Sequence, residues 1–191
     1  MAYLSEQQLQ QLGFLHVGKD VKISDKASIY GHSRISIGDY TRIDDFCVLS
    51  AGEGGIYIGR NVHIAIYTSL IGKGRIELKD FANLSSRVAI YSSSDDYSGN
   101  SMTNPTVPEE YKKVVHGPVT LGRHVIIGVG SAVLPNVEIG DGSAVGALSM
   151  VNKNVEAGVI VTGIPAQKIK SRGTKMFELE QQMLKKEQDG L

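Results

Sequence analysis

Every sixth residue from Leu121 onward is aliphatic: Leu121, Ile127, Val133, Ile139, Val145 and Val151. Four positions after each comes a small or short β-branched side chain: Val125, Ser131, Val137, Ser143, Ser149 and Val155. A period of six is neither the 3.6 of a helix nor the simple alternation of a strand. It is a short-period repeat, and such repeats stack supersecondary units into a solenoid. One aliphatic per six residues puts one side chain of each flat face on a shared axis. Three faces close a triangular coil, so the expected coil is eighteen residues long. Glycine often follows the aliphatic directly, at Gly122, Gly128, Gly140 and Gly146. These glycines are expected to supply positive φ at the corners, where a Cβ would introduce strain.

The same aliphatic spacing recurs upstream, with frame slips. The sets are Ile23-Ile29-Ile35, then Ile37-Ile43-Leu49, then Ile58-Ile64-Leu70, then Leu78-Leu84-Ile90. Each slip falls at a glycine-rich or charged stretch, where a loop can bulge from a corner without breaking the core. The repeat stops from Tyr91 to Pro118, which predicts one long loop. Roughly six coils at the strand spacing of ~4.8 Å give a prism about 30 Å tall. Before the prism, Ser5-Glu6-Gln7-Gln8 reads as a capping box. A short helix follows, with Leu9 and Leu12 on one side and Gly13 as its C′ residue. It is expected to cap the open first coil, whose unpaired edge would otherwise invite aggregation. After the prism, Met176, Leu179 and Met183 at i, i+3 and i+7, flanked by Phe177 and Leu184, predict a helix from about Thr174 to Glu187. The expected organisation is a helical cap over 1–18, a solenoid over 19–172 carrying the loop 91–118, and a C-terminal helix within 173–191.

The stretches Val145-Gly146-Ala147-Leu148-Ser149-Met150-Val151 and Val161-Thr162-Gly163-Ile164-Pro165-Ala166-Gln167-Lys168-Ile169, together with the six-residue period, resemble the hexapeptide-repeat acyltransferases. The resemblance covers roughly residues 20 to 172. It implies a mainly β fold, the left-handed parallel β-helix. It also implies acetyl-CoA as co-substrate, no metal, and a homotrimer with one site at each subunit interface.

In related sugar acetyltransferases the start of the long loop usually carries a histidine that deprotonates the acceptor. Here Tyr91-Ser92-Ser93-Ser94-Asp95-Asp96-Tyr97-Ser98-Gly99 has none, and Asp95 falls at about that position. A sugar hydroxyl is a poor nucleophile and needs a base near working pH, typically histidine. An amine is already nucleophilic when neutral, and a carboxylate both attracts its ammonium form and takes its proton. Asp95 and Asp96 therefore suit an amino acceptor. The loop resembles those of O-antigen acyltransferases, and among them the N-acetyltransferases of dTDP-4-amino-4,6-dideoxy sugars. The expected function is acetyl-CoA-dependent N-acetylation of such a nucleotide sugar in surface-polysaccharide (lipopolysaccharide) biosynthesis. Tyr91, Ser94, Tyr97, Asn104 and His116 are expected to bind the acceptor. His63 precedes the inward Ile64, so it points outward, and it is the third catalytic candidate.

On the donor side, Gly128, Gly146, Ala147 and Ser149 would keep an outer surface low enough for a pantetheine arm. A backbone N–H at one of these turns could hold the thioester oxygen. Lys153, Lys168, Lys170 and Arg172 are the cations available for the cofactor phosphates, beside the turn at Pro165. O-acetylation of a galactoside or maltose, with His63 or His116 as base, is the alternative. A γ-class carbonic anhydrase, with zinc on His63, His116 and His124, is a lesser one.

Composition removes other classes. The 20 basic and 20 acidic residues balance, so no broad field invites nucleic acid. Cys47 is the single cysteine, which excludes an intrachain disulfide and a cysteine zinc cluster. Gly72-Lys73 lacks the glycine of a phosphate-binding loop five positions earlier, where Tyr67 stands. No apolar run is long enough to span a bilayer. No signal-peptide pattern opens the chain, and a cytoplasmic home is the expectation.

Overall fold

The computed structural model describes residues 2–189; residue 1 and the last two residues of the expected C-terminal segment lie outside the described residues. Strands too short to stand alone stack on the strand one coil above and one coil below, in three sheets that are parallel except for a C-terminal hairpin strand, and a two-stranded antiparallel pair lies outside them. The first face runs from His16–Val17 to Val137–Ile139, the second from Lys22–Ile23 to Val159–Gly163, and the third from Ser28–Tyr30 to Met150–Val151. The result is a left-handed parallel β-helix. The second face has seven parallel levels, so the prism has about seven turns rather than six.

The registers form the core column. Ile23, Ile43, Ile64, Leu84, Ile127, Val145 and Val161 stack on the second face. Ile29, Leu49, Leu70, Ile90, Val133 and Val151 stack on the third. The first face points two residues inward per strand, as in Ile35 and Ile37, both fully buried. This explains the upstream frame slip. Leu121 to Ile139 steps eighteen residues, whereas Ile37 to Ile58 and Ile58 to Leu78 step 21 and 20. The extra residues sit at the corner joining the third face to the first, around residues 31–34, 52–55 and 72–75.

The glycines after the aliphatics play a different part from the one expected. Gly122, Gly128, Gly140 and Gly146 do not have positive φ. They sit where one coil presses on the next. A Cβ on Gly122 would lie 2.6 Å from the Asp141 backbone nitrogen, and one on Gly140 would lie 2.5 Å from that of Ala157. The left-handed corner positions are instead filled mostly by residues with side chains, among them Tyr40, Phe46, Asn61, Tyr67, Phe81, Arg87, His124 and Leu148. Stacking of coil on coil over-determines the backbone there and outweighs the local preference for glycine.

The capping box forms: Ser5 N–H donates to Gln8 Oε1 at 2.8 Å, and Gln8 N–H donates to Ser5 Oγ at 3.3 Å. It opens α1, Glu6–Gln11, which buries Leu9 in the first coil; Leu12 remains 38% exposed, and Gly13 leaves the helix at φ +70. The C-terminal helix α2, Lys175–Gln188, packs on the corner between the first and second faces of its own prism. The ring of His124 stacks on Phe81 at 4.9 Å and meets Phe177 edge-on at 5.1 Å. His124 Nε2 bonds Glu180 Oε2 at 2.8 Å, and Arg60 reaches Glu187 at 2.6 Å. The inner stripe is thus Phe177, Glu180 and Glu187. Leu179, expected on it, is 51% exposed. Buried polar partners, absent from an apolar periodicity, set the rotation of this helix.

Candidate functional site

The corner joining the second face to the third is open. Its levels are residues 24–27, 44–47, 65–68, 85–88, 128–131 and 146–149. The first residue of each level forms a column: Ser24, Asp44, Ala65, Ser85, Gly128 and Gly146. Small residues keep the upper half of this column low. Gly128 has no room for a Cβ against the backbone of Ala147, so the corner must stay flat there. Ala147 is exposed and Leu148 is 69% exposed, forming a lip beside the column. Ser149 faces the other way, buried. Its hydroxyl bonds the Gly146 carbonyl at 2.8 Å and accepts from Gly163 N–H at 3.1 Å. Its contribution to a cofactor groove is to hold the corner, not to touch a ligand.

Above the column the chain leaves through a hairpin, Val159–Gly163 with Ala166–Ser171, turning at Ile164-Pro165. A cleft of about 290 Å³ lies here, lined by residues 151–156, Val159, Val161, Ala166, Gln167 and Lys168. Lys153 and Lys168 border it. Lys168 Nζ pairs with Glu156 at 2.9 Å and holds that carboxyl below its ordinary range. Lys170 is exposed on the outer strand. Arg172 is engaged elsewhere: its Nη1 donates to the carbonyls of His124, Gly142 and Ser143 at 2.9, 3.2 and 2.8 Å. Burial lowers the pKa of this guanidinium.

Below Ser85, the second face carries His63. Its Nε2 lies 2.9 Å from Asp44 Oδ2, and Arg42 Nε donates to Asp44 Oδ1 at 2.6 Å. Asp44 is buried, while His63 and Arg42 are roughly half open. Neither Asp44, Arg42 nor Ser85 stands out in the sequence. The signal lay in the outward position before each inward aliphatic, readable once the frame is fixed.

The loop leaves the far edge of the third face and is not structureless. Ser93–Ser94 pairs antiparallel with Val115–His116, closing a neck, and a 3-10 turn spans Glu109–Tyr111. Ser93 Oγ and His116 Nδ1 are 2.7 Å apart, and buried Ser92 donates to the Gly74 carbonyl at 2.8 Å. Tyr91 ends the last strand before the neck, half-exposed. Ser94 lies in the neck, and its hydroxyl turns to the Asp95 carbonyl. The two adjacent aspartates differ. Asp96 accepts from Ser98 N–H at 2.8 Å and from the Ser101 hydroxyl at 2.9 Å. Ser98 foremost, then Ser101, hold its pKa down to about 2, so it is a fixed turn carboxylate. The Asp95 carboxylate is exposed and accepts no hydrogen bond from the described residues. Asp95, Asp96, Tyr97 and Thr103 line a shallow cleft of about 150 Å³, with Tyr97 almost wholly exposed. Asn104 is occupied within the loop, accepting from Thr106 N–H and hydroxyl at 2.9 and 2.6 Å.

His63, His116 and His124 lie on the second face, in the loop neck and under α2. Among the described residues no three His, Cys, Asp or Glu side chains cluster to hold a metal. No described helix is long and apolar enough to cross a membrane.

No protein-family model matches the chain. A dTDP-4-amino-4,6-dideoxy-D-glucose acyltransferase from Escherichia coli is 58% identical over 180 residues, covering 94% of either chain. The N-acyltransferase AntD from Bacillus cereus, solved in complex with dTDP and 3-hydroxybutyryl-CoA, superposes with a TM-score of 0.93 at 50% identity, covering 97% of this chain and 98% of AntD. AntD has also been solved with one aspartate replaced, bound to dTDP and coenzyme A, and with one serine replaced, bound to dTDP-4-amino-4,6-dideoxyglucose and coenzyme A.

Proposed function

We propose that this chain, which belongs to the dTDP-4-amino-4,6-dideoxy-D-glucose acyltransferase family of left-handed β-helix enzymes, transfers an acetyl group from acetyl-CoA to the 4-amino group of dTDP-4-amino-4,6-dideoxyglucose. The observation that carries this reading is likeness along the whole length of both chains rather than over the repeats alone. The product would serve surface-polysaccharide assembly of the O-antigen type, made in the cytoplasm.

The chemistry follows from the open carboxylate. Asp95 attracts the ammonium form of the acceptor and takes its proton, leaving a neutral amine. The nitrogen lone pair attacks the thioester carbon. A backbone N–H of the Gly128–Gly146 column steadies the oxygen as it gains charge. The C–N bond forms, the C–S bond breaks, the nitrogen loses its second proton, and the departing thiolate takes up a proton to leave as coenzyme A. The pantetheine arm descends the low column from the C-terminal cleft, where Lys153, Lys168 and Lys170 meet its phosphates near Pro165.

The two AntD replacements support the placement. A common shift of one position brings both onto residues of the same type here, Asp95 and Ser85, and a shift of two onto Asp96 and Ser86; of the two aspartates, Asp96 is tied into its own turn by Ser98 and Ser101. In one chain Asp95 and Ser85 stand at opposite edges of the third face, with the strand Ala89–Tyr91 between them. The hydrogen bonds of residues 95–115 stay within the loop. In the homotrimer that the family resemblance implies, the two side chains meet on one amine when each comes from a different copy. Asp95 of one copy then faces Ser85 and the column of the next.

The test is thiol release from acetyl-CoA against a panel of acceptors. The panel holds dTDP-4-amino-4,6-dideoxyglucose, its galacto epimer, 3-amino analogues, UDP-linked amino sugars, galactosides and maltose. Turnover on the first compound is expected. Turnover on hydroxyl acceptors alone would overturn the reading and move the search for a base to His63 and His116.

A further inference from the structure

The three faces present different outward columns. On the first face it reads His16, Ser36, Tyr57, Glu77, Thr120, Glu138, which is mixed and acidic toward its end. On the third it reads Ser28, Val48, Ser69, Ala89, Ala132, Met150, with no charge. On the second it divides. Lys22, Arg42, His63 and Asn83 occupy the first four levels, and Ile126, Ala144 and Ile160 the last three. Four nitrogen donors in strict register, one strand step of ~4.8 Å apart, make a ladder about 15 Å long. It ends two residues before Ser85, on the same level.

A flat solenoid face does not need such a ladder for stability, since exposed charges add little. Its middle is nonetheless built on a buried group. The Asp44 carboxylate is withdrawn from solvent and bonds both Arg42 Nε and His63 Nε2. It orients Arg42 and His63 side by side on one surface. Lys22, on the level below, is exposed and makes no ion pair among the described residues. No hydrogen bond reaches His63 Nδ1 among the described residues. The His63 ring thus keeps one nitrogen open on the outer face while Asp44 holds the other. The spacing suits two linked phosphates bridging neighbouring levels. The apolar upper half of the same face offers no such donors, so the ladder serves the acceptor and not the donor.

We infer that the Lys22–Arg42–His63–Asn83 column on the second face binds the diphosphate of the nucleotide-sugar acceptor. This rests on the nucleotide-sugar reading above. The sugar then continues one level up, and its amine comes to Ser85. Donor and acceptor approach the same level from opposite ends of the prism: coenzyme A down the Gly146–Gly128 column, the nucleotide up the cationic one. Asp44 is a positioning residue that acts through Arg42 and His63.

The experiment is calorimetric titration of the full-length protein with dTDP, thymidine and coenzyme A in turn. Wild type is expected to bind dTDP at least about tenfold more tightly than thymidine, and Arg42→Gln or His63→Gln should each weaken dTDP about tenfold. Lys22→Gln, which breaks no ion pair, should weaken it about threefold and keeps the test valid if the Arg42 variant folds poorly. Asp44→Asn should lower dTDP affinity while leaving coenzyme A affinity unchanged, a split that general unfolding would not give. Variants that bind dTDP as wild type does would overturn this inference and leave the proposed function standing. Variants that lose coenzyme A instead would reassign the column to the donor and also overturn it. A wild type that binds coenzyme A but no dTDP would remove the nucleotide-sugar reading itself, and the inference with it.

Discussion

Two corners of this prism share one backbone plan and have opposite fates. Both turn through a left-handed residue at most levels, and both carry aromatic rings there. At the corner between the first and second faces, α2 lies over the rings, Glu180 is buried on His124, and Arg172 ties three carbonyls together. At the corner between the second and third faces, Phe46 and Tyr67 stack at 5.0 Å and remain half-exposed. Val129 and Leu148 stand open above them. The covered corner anchors the fold. The open corner, with its low Ser85–Gly128–Gly146 column, is where the proposed reaction is placed. Substitutions should therefore separate cleanly: stability on one corner, activity at the other.

The largest effect is expected at the active end. Asp95→Asn removes the proposed proton acceptor and should lower kcat by about 10²–10⁴-fold. Its melting temperature should match wild type, because the carboxylate accepts no hydrogen bond from the described residues. A parallel drop in melting temperature would mean that Asp95 is structural.

Next comes the covered corner. Glu180→Ala leaves the His124 Nε2 without its partner and should cost about 1–3 kcal/mol, lowering Tm by roughly 2–4 °C per kcal/mol. The kcat of the protein that remains folded should not change. Calorimetry alongside the thiol-release assay reads both. A kcat loss at unchanged Tm would erase the division between the corners.

Much of this was legible in the residues. The period of six from Leu121 to Val151 fixed the solenoid and its core column, and its interruption located the loop. The capping box at Ser5 and Gln8 was written locally and formed as written. What failed to read had causes beyond nearest neighbours. Gly122 and Gly140 are set by a coil eighteen or so residues away, not by their own φ. Ser149 faces inward, where its hydroxyl bridges the Gly146 carbonyl and the Gly163 N–H. The rotation of α2 follows Glu180, a charged residue that apolar periodicity discounts. Asp44, Arg42 and His63 meet across neighbouring coils, so their grouping appears only once the coils are stacked.

A smaller effect separates the neighbouring loop aspartates. The Asp96 pKa is depressed to about 2 by Ser98 and Ser101. Its ordering of the turn is therefore complete above the ordinary aspartate range of about 4 and is lost as pH falls through about 2. Protection of the Ser98 amide, its exchange measured against the intrinsic rate at the same pH, should hold at pH 5 and fall toward pH 2, and Asp96→Asn should lack it at both. Equal exchange in the two proteins at pH 5 would contradict the turn. The smallest effect is expected at Leu179, on the outer side of α2: Leu179→Ala should change stability by no more than about 0.5 kcal/mol. A larger loss in chemical denaturation would mean that another surface covers this side of the helix.

In the proposed shared site, Asp95 of one copy works with Ser85 of the next. Asp95→Asn and Ser85→Ala chains can be co-expressed in equal amounts and assayed with dTDP-4-amino-4,6-dideoxyglucose beside each variant alone. A shared site restores about one quarter of wild-type activity, the fraction of heterologous interfaces in which both intact residues meet. A mixture as inactive as its parents would place both residues in one chain and contradict the shared site.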